Sequence, residues 1–173
     1  MALLPVSKSY CQAAIPADSI KAILIKDWER AKAYTQDYMK AMPAEKYSFK
    51  AMDSVRSFAQ QLLHITEATM FLVSTATGEK LSGGRGLETR SSAQTADSVR
   101  YYVNSGYDYA IKAIKNMPSN SFMQTASFNM GETVTATRLG WLMKAFEHQT
   151  HHRGQTTIYL RLSGVRPPAE RLF

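Results

Sequence analysis

Glu147-His148-Gln149-Thr150-His151-His152-Arg153-Gly154-Gln155 gathers three of the chain's four histidines into one short run. On an α-helix, residues four apart lie on one face, about 6 Å from each other along the axis. His148 and His152 therefore point the same way, and His151 is turned aside. Two imidazoles on one helix grip a single ion at this spacing. The residues between them are Gln149, Thr150 and His151, so the His-Glu-x-x-His pattern of metalloproteases is absent. Trp141, Ala145, His148, His152, Gln155 and Tyr159 form one stripe that is bulky and partly apolar, which predicts that it faces a protein interior. Neutral imidazoles held there need polar partners, and a shared cation satisfies both at once.

Outward from this run, apolar spacing predicts four helices. The last begins at a cap supplied by Thr133 or Thr135 and runs to Leu162, with Gly164 and Pro167-Pro168 as stop signals. A first helix is expected over residues 18–41, with Asp18 as N-cap and the stripe Ile20, Leu24, Trp28, Ala31, Thr35, Tyr38 and Met42. A second is expected over 53–75, and a third over 92–116, where Gly106 permits close helix packing. The connection 77–91 contains Gly78, Gly83, Gly84 and Gly86 but no Gly-Lys-Ser/Thr ending, and reads as a flexible surface loop rather than a phosphate cradle. Residues 121–133 read as an extended connection whose Phe122, Phe128 and Met130 cover one end of a bundle. Four long helices make the fold class all-α, a four-helix bundle. The long second connection leaves room for a crossover, so simple up-down-up-down order is not forced.

Composition sets the outer limits. The 173 residues are 45% hydrophobic and 20% charged, which suits one globular domain and argues against disorder. The net charge of +7 comes from 21 Lys+Arg against 14 Asp+Glu, scattered from Lys8 to Arg171 without a basic run. No nucleic-acid partner is expected from that pattern, and no membrane span, because no apolar stretch is long enough. A single cysteine, Cys11, excludes an internal disulfide and reads as incidental. Residues 1–17 are set apart as an irregular N-terminal segment, a signal remnant or tag, before a domain over 18–173. The compartment stays open: cytoplasmic, or exported if that segment derives from a signal.

A borderline ion such as zinc, nickel or iron needs a third protein ligand. His64, in Leu62-Leu63-His64-Ile65-Thr66-Glu67, is the remaining histidine and sits mid-way along the second predicted helix. Three histidines would leave a position for water or substrate, the open geometry of a catalytic site. The competing reading is a hydrogen-bonded or surface histidine at 64 and a chance pairing at 148 and 152.

The run from His148 to Gln155 resembles the His-x-x-x-His-Arg-Gly-Gln signature of the DinB/YfiT-like family. The setting of His64 and the ending Leu162-Ser163-Gly164-Val165-Arg166-Pro167-Pro168 are similar to that family too. The resemblance implies an up-down-down-up bundle, often homodimeric, holding one divalent metal ion on His64, His148 and His152. It places Glu67 and Gln155 beside those ligands in support. Arg153 is expected in a helix-end ion pair. Some relatives are thiol S-transferases that use a low-molecular-weight thiol cosubstrate and an electrophilic substrate, and others resemble metal-dependent hydrolases. The resemblance thus implies a thiol S-transferase or a hydrolase. A non-enzymatic, stress-related metal- or ligand-binding bundle is the remaining alternative.

Overall fold

The computed structural model describes residues 15–81, 83–129 and 131–173. Helix α1 spans Ala17–Ala41, α2 Phe58–Thr77, α3 Ala96–Asn116 and α4 Arg138–Leu162. A hairpin of β1 (Thr125–Asn129) and β2 (Thr133–Thr137) precedes α4. Met130 and Cys11 lie outside the described residues, as does the predicted N-terminal segment up to residue 14. Among the described residues no helix is long and apolar enough to cross a membrane.

Capping chemistry decides where each helix starts, and it corrects the expected boundaries. Asp18 is not the N-cap of α1. Pro16 occupies that position without a side-chain hydrogen bond. Asp18 lies in the first turn, where its charge suits the helix dipole, and its carboxylate accepts a hydrogen bond from Ser119 Oγ at 2.5 Å. Helix α2 begins five residues later than expected. Ser57 accepts from the Gln60 N–H while the Gln60 side chain accepts from the Ser57 N–H, a capping box that closes two orphan donors. Thr95 caps α3 through the Ser98 N–H, and residues 91–93 form a separate single turn before it. Thr137 caps α4 through Gly140 N–H at 3.0 Å, whereas Thr133 and Thr135 belong to β2.

Pairing of Phe128 with Val134 and of Thr125 with Thr137 sets the hairpin register. Its runs, Thr-Ala-Ser-Phe-Asn and Thr-Val-Thr-Ala-Thr, carry the β-branched residues that favour strands. Trp141 ties the hairpin to α4 by donating from Nε1 to the Ala126 carbonyl at 2.9 Å. Phe128 meets Phe71 edge-on at 4.5 Å, and Phe122 is buried in the core.

Cross-helix contacts give the directions. Along α1 and α3, Lys21 bonds the Met117 carbonyl, Lys32 bonds Asp108 and Gln36 bonds Asn104, so the pair is antiparallel. Trp28 against Phe146, Arg153 over Tyr34 and Tyr38 on Thr157 make α1 and α4 parallel. On α2 and α4, Gln61 bonds Tyr159 while His64 meets His148, again antiparallel. The order is up-down-down-up. The core holds Trp28, Phe58, Leu62, Ile65, Ile114, Leu142 and Leu160, each at most 1% exposed. Gly106 lets α3 close on α2: a Cβ there would stand 2.9 Å from Thr66 Cγ2.

The glycine-rich connection is more than a loose surface loop. Leu87 is completely buried, and the Glu67 carboxylate accepts hydrogen bonds from the backbone N–H groups of Leu87 and Glu88. Gly84, at φ +88°, lies so close to α2 that a Cβ would sit 2.7 Å from Met70 Sδ. These contacts fold the segment over the middle of α2, beside His64.

Candidate metal centre

Helix α4 carries His148 and His152 on its inward face, and the antiparallel packing of α2 brings His64 to the same level. Ring centroids are 4.4 Å apart for His148 and His152, 4.5 Å for His64 and His152, and 5.0 Å for His64 and His148. One nitrogen from each ring can be chosen so that all three lie within 4.8 Å of one another. His152 is buried and the other two are half-buried. His151 is exposed and contacts Gln155 Nε2 at 3.0 Å through its own Nε2.

Hydrogen bonds orient two of the rings. The side-chain oxygens of Gln61 and Gln155 face His152 Nδ1 at 2.8 and 3.1 Å. Both are acceptors, so Nδ1 carries the proton and Nε2 keeps its lone pair. His64 Nδ1 faces the Glu88 carboxylate, which draws the proton to the same nitrogen. His148 Nδ1 is buried without a hydrogen-bond partner among the described residues. A cation shared by the three rings would give that imidazole a polar partner.

Charge matters as much as position. Burial, followed by the charge of His64, lowers the His148 pKa to about 4. Burial and the neighbouring His148 and His64 lower His152 to about 4 as well. Both rings are thus neutral at pH 7, the form in which an imidazole can bind a cation. Burial on its own would raise the Glu88 pKa, but hydrogen bonds and charge from Arg56 and His64 outweigh it and hold the carboxyl below its ordinary value. Arg56 Nε sits 2.6 Å from Glu88 Oε2. A cavity of about 400 Å³ opens beside His64 and is also lined by Glu88, Phe71 and Arg85.

The model of the DinB family matches residues 18–171. The chain belongs to the DinB family. A DinB-like protein from Bacillus cereus ATCC 10987 has a solved structure similar to this one, with TM-score 0.69 and 17% identity, covering 85% of this chain and 95% of its own. A DinB-like protein, YjoA, from Bacillus subtilis is similar at TM-score 0.64 and 14% identity, covering 87% of this chain and 96% of its own. At these identities the likeness shows the DinB fold alone. No curated protein matches the chain.

Within this DinB bundle, the expected supporting residues behave differently from one another. Gln155 contacts His152 directly. Glu67 touches no histidine; it holds the backbone that carries Glu88. Arg153 makes no helix-end ion pair among the described residues. It is buried at 6% exposure, donates to Gln149 Oε1 at 2.9 Å and lies over the Tyr34 ring. Gln61 and Glu88 were not anticipated. Gln61 lies three residues before His64, a spacing that could have flagged it, whereas Glu88 stands in the glycine-rich connection with no local signal. The donor set of this DinB chain fits a divalent cation: three imidazoles within reach of one point, two of them neutral at pH 7.

The metal-free DinB chain should lose stability on mild acidification. The folded-state pKa values of His148 and His152 lie near 4 against an ordinary 6.5, so between those values the unfolded chain binds more protons. Stability is full above pH 6.5 and falls toward pH 4. The groups that face these rings are His64, His151, Arg56 and Glu88. Thermal unfolding of chelator-treated protein at pH 7.5 and 5 checks this. An unfolding temperature that is the same at both values would contradict it.

Proposed function

We propose that the chain is a metal-dependent thiol S-transferase in which His64, His148 and His152 hold one divalent ion and a low-molecular-weight thiol is the nucleophile. The observation that carries this reading is the convergence of three imidazoles, with no carboxylate ligand among them, beside an open cavity of about 400 Å³. A zinc, nickel or iron ion held by neutral ligands keeps its positive charge and lowers the pKa of a bound thiol or water.

The chain's own residues prepare the site. Gln61, Gln155 and Glu88 fix the Nδ1 protons of two rings, which leaves the Nε2 lone pairs for the ion. Phe71, Met70 and Ala68 give the cavity an apolar wall that excludes water from one side of a substrate. The thiol is a cosubstrate, since Cys11 stands outside the family-matched segment 18–171.

The test is elemental analysis of the purified protein, then product analysis with a small thiol and an alkyl halide or epoxide. The expected result is one bound ion per chain and a thioether product, both lost on chelation. A product in which water replaces the thiol would assign a hydrolase instead. A stoichiometric ion with no turnover of either kind would favour a binding bundle.

A further inference from the structure

The cavity beside His64 is half of a longer groove. A second cavity of about 520 Å³ shares Met70, Leu81, Gly83, Gly84 and Arg85 with it and continues to Arg90, just before the 91–93 turn, and to Tyr101 and Tyr102 on α3. The groove thus has His64 at one end, Arg90 toward the other and Arg85 along the stretch that the two cavities share. Its only acids among the described residues are Glu67 and Glu88. Both are committed: Glu67 to backbone N–H groups, and Glu88 to Arg56 and His64. Neither Arg85 nor Arg90 is in an ion pair among the described residues. Arg90 donates to the neutral Arg85 carbonyl at 3.2 Å, a contact that leaves its charge uncompensated.

We infer that this groove takes a small organic acid, its carboxylate held by Arg85 and Arg90 and its apolar stem lying along Met70 and Leu81 toward His64. A planar guanidinium matches a carboxylate with two parallel hydrogen bonds, and an apolar stem suits the wall between the two ends. The inference rests on the proposed function for the reacting end alone and names the substrate or cosubstrate class of that site as acidic. Arg85 and Arg90 are specificity residues in this reading and take no part in the chemical step.

Calorimetric titration of the full chain with 3-phenylpropionate and with its neutral amide, 3-phenylpropanamide, tests the inference. Both ligands are run on zinc-loaded and on chelator-treated protein. The acid should bind about tenfold tighter than the amide in both states, the preference expected of a charge-assisted contact in a partly open groove. The double variant Arg85→Met with Arg90→Met should erase most of that preference, and Arg85→Lys with Arg90→Lys should restore part of it. Equal affinities for acid and amide would overturn the inference. So would a preference seen only with zinc and unchanged in the methionine variant, because the ion alone would then hold the carboxylate. Inorganic phosphate that competes as strongly as the acid would also overturn it, leaving a general anion patch. The chelated arm needs no ion, so a chain that takes up no metal refutes the proposed function and still decides this question.

Discussion

Replacing His152 with alanine should weaken divalent-metal binding by more than about 100-fold, beyond what loss of an outer hydrogen-bond partner costs in metal sites. His148→Ala should do the same. Each variant removes one of three converging imidazoles, and two nitrogens cannot hold a borderline ion in a site of this kind. The helical fold should survive, since the fully buried side chains that fill the core, among them Trp28, Tyr47, Phe58, Leu142 and Leu160, are unchanged in both variants. His152→Ala also strands the Gln61 and Gln155 amides that faced the ring, so a modest drop in unfolding temperature is expected as well. Chelator competition gives the affinity, and circular dichroism reports the helices. Metal content equal to the parent protein in both variants would refute the assignment of the ligands.

Much of this architecture is legible in the sequence, and what is not has physical causes. Helix identity follows from apolar spacing, because a stripe such as Trp28, Ala31, Thr35 and Tyr38 has only one way to be buried. The starts of α2 and α3 do not follow from that spacing. They depend on which of several polar residues finds a free N–H, and for α2 it is Ser57 with Gln60, where both halves of the box close together. The hairpin escapes a helix-period reading for a related reason. Its alternation is short, rich in threonine, and largely exposed, so burial leaves little imprint on residue choice.

The candidate site divides along the same line. His148 and His152 are set by position within one helix, which local periodicity reports. Their meeting with His64 requires the antiparallel docking of α2 on α4, a tertiary fact that the family resemblance anticipates and spacing alone does not. Glu88 is further removed. It reaches His64 only because Glu67 fastens the backbone of the glycine-rich connection and Gly84 lets that segment lie against Met70. Glycines of this kind look like flexibility in a sequence, yet here one of them serves close approach. Arg153 shows the converse error: expected in a helix-end ion pair, it lies inside α4, where packing against α1 buries it over Tyr34.

Glu88→Ala should therefore lower metal affinity by about 10- to 100-fold although Glu88 is no ligand in the proposed site. The carboxylate accepts a hydrogen bond from His64 Nδ1–H, and with its pKa held below the ordinary value it stays ionised at neutral pH. That negative charge orients the ring and makes the opposite nitrogen a stronger donor. Glu88→Gln keeps an acceptor oxygen in nearly the same shape and removes the charge, so its loss should fall between those of the parent and the alanine variant. Glu67→Ala should reproduce part of the effect from a distance, because it frees the Leu87 and Glu88 N–H groups that fix the segment in place. Arg56→Met is the informative contrast: it takes away the second partner of Glu88 and leaves the contact with His64 intact. Its metal affinity should stay within a few-fold of the parent, as expected for loss of a part-exposed ion pair. Chelator competition on all four variants ranks them. An alanine variant at 88 that binds metal as tightly as the parent would reduce the glycine-rich segment to a cover over the site. A ranking of Ala below Gln below the parent at position 88, with Glu67→Ala also weakened, would make that segment part of what tunes it.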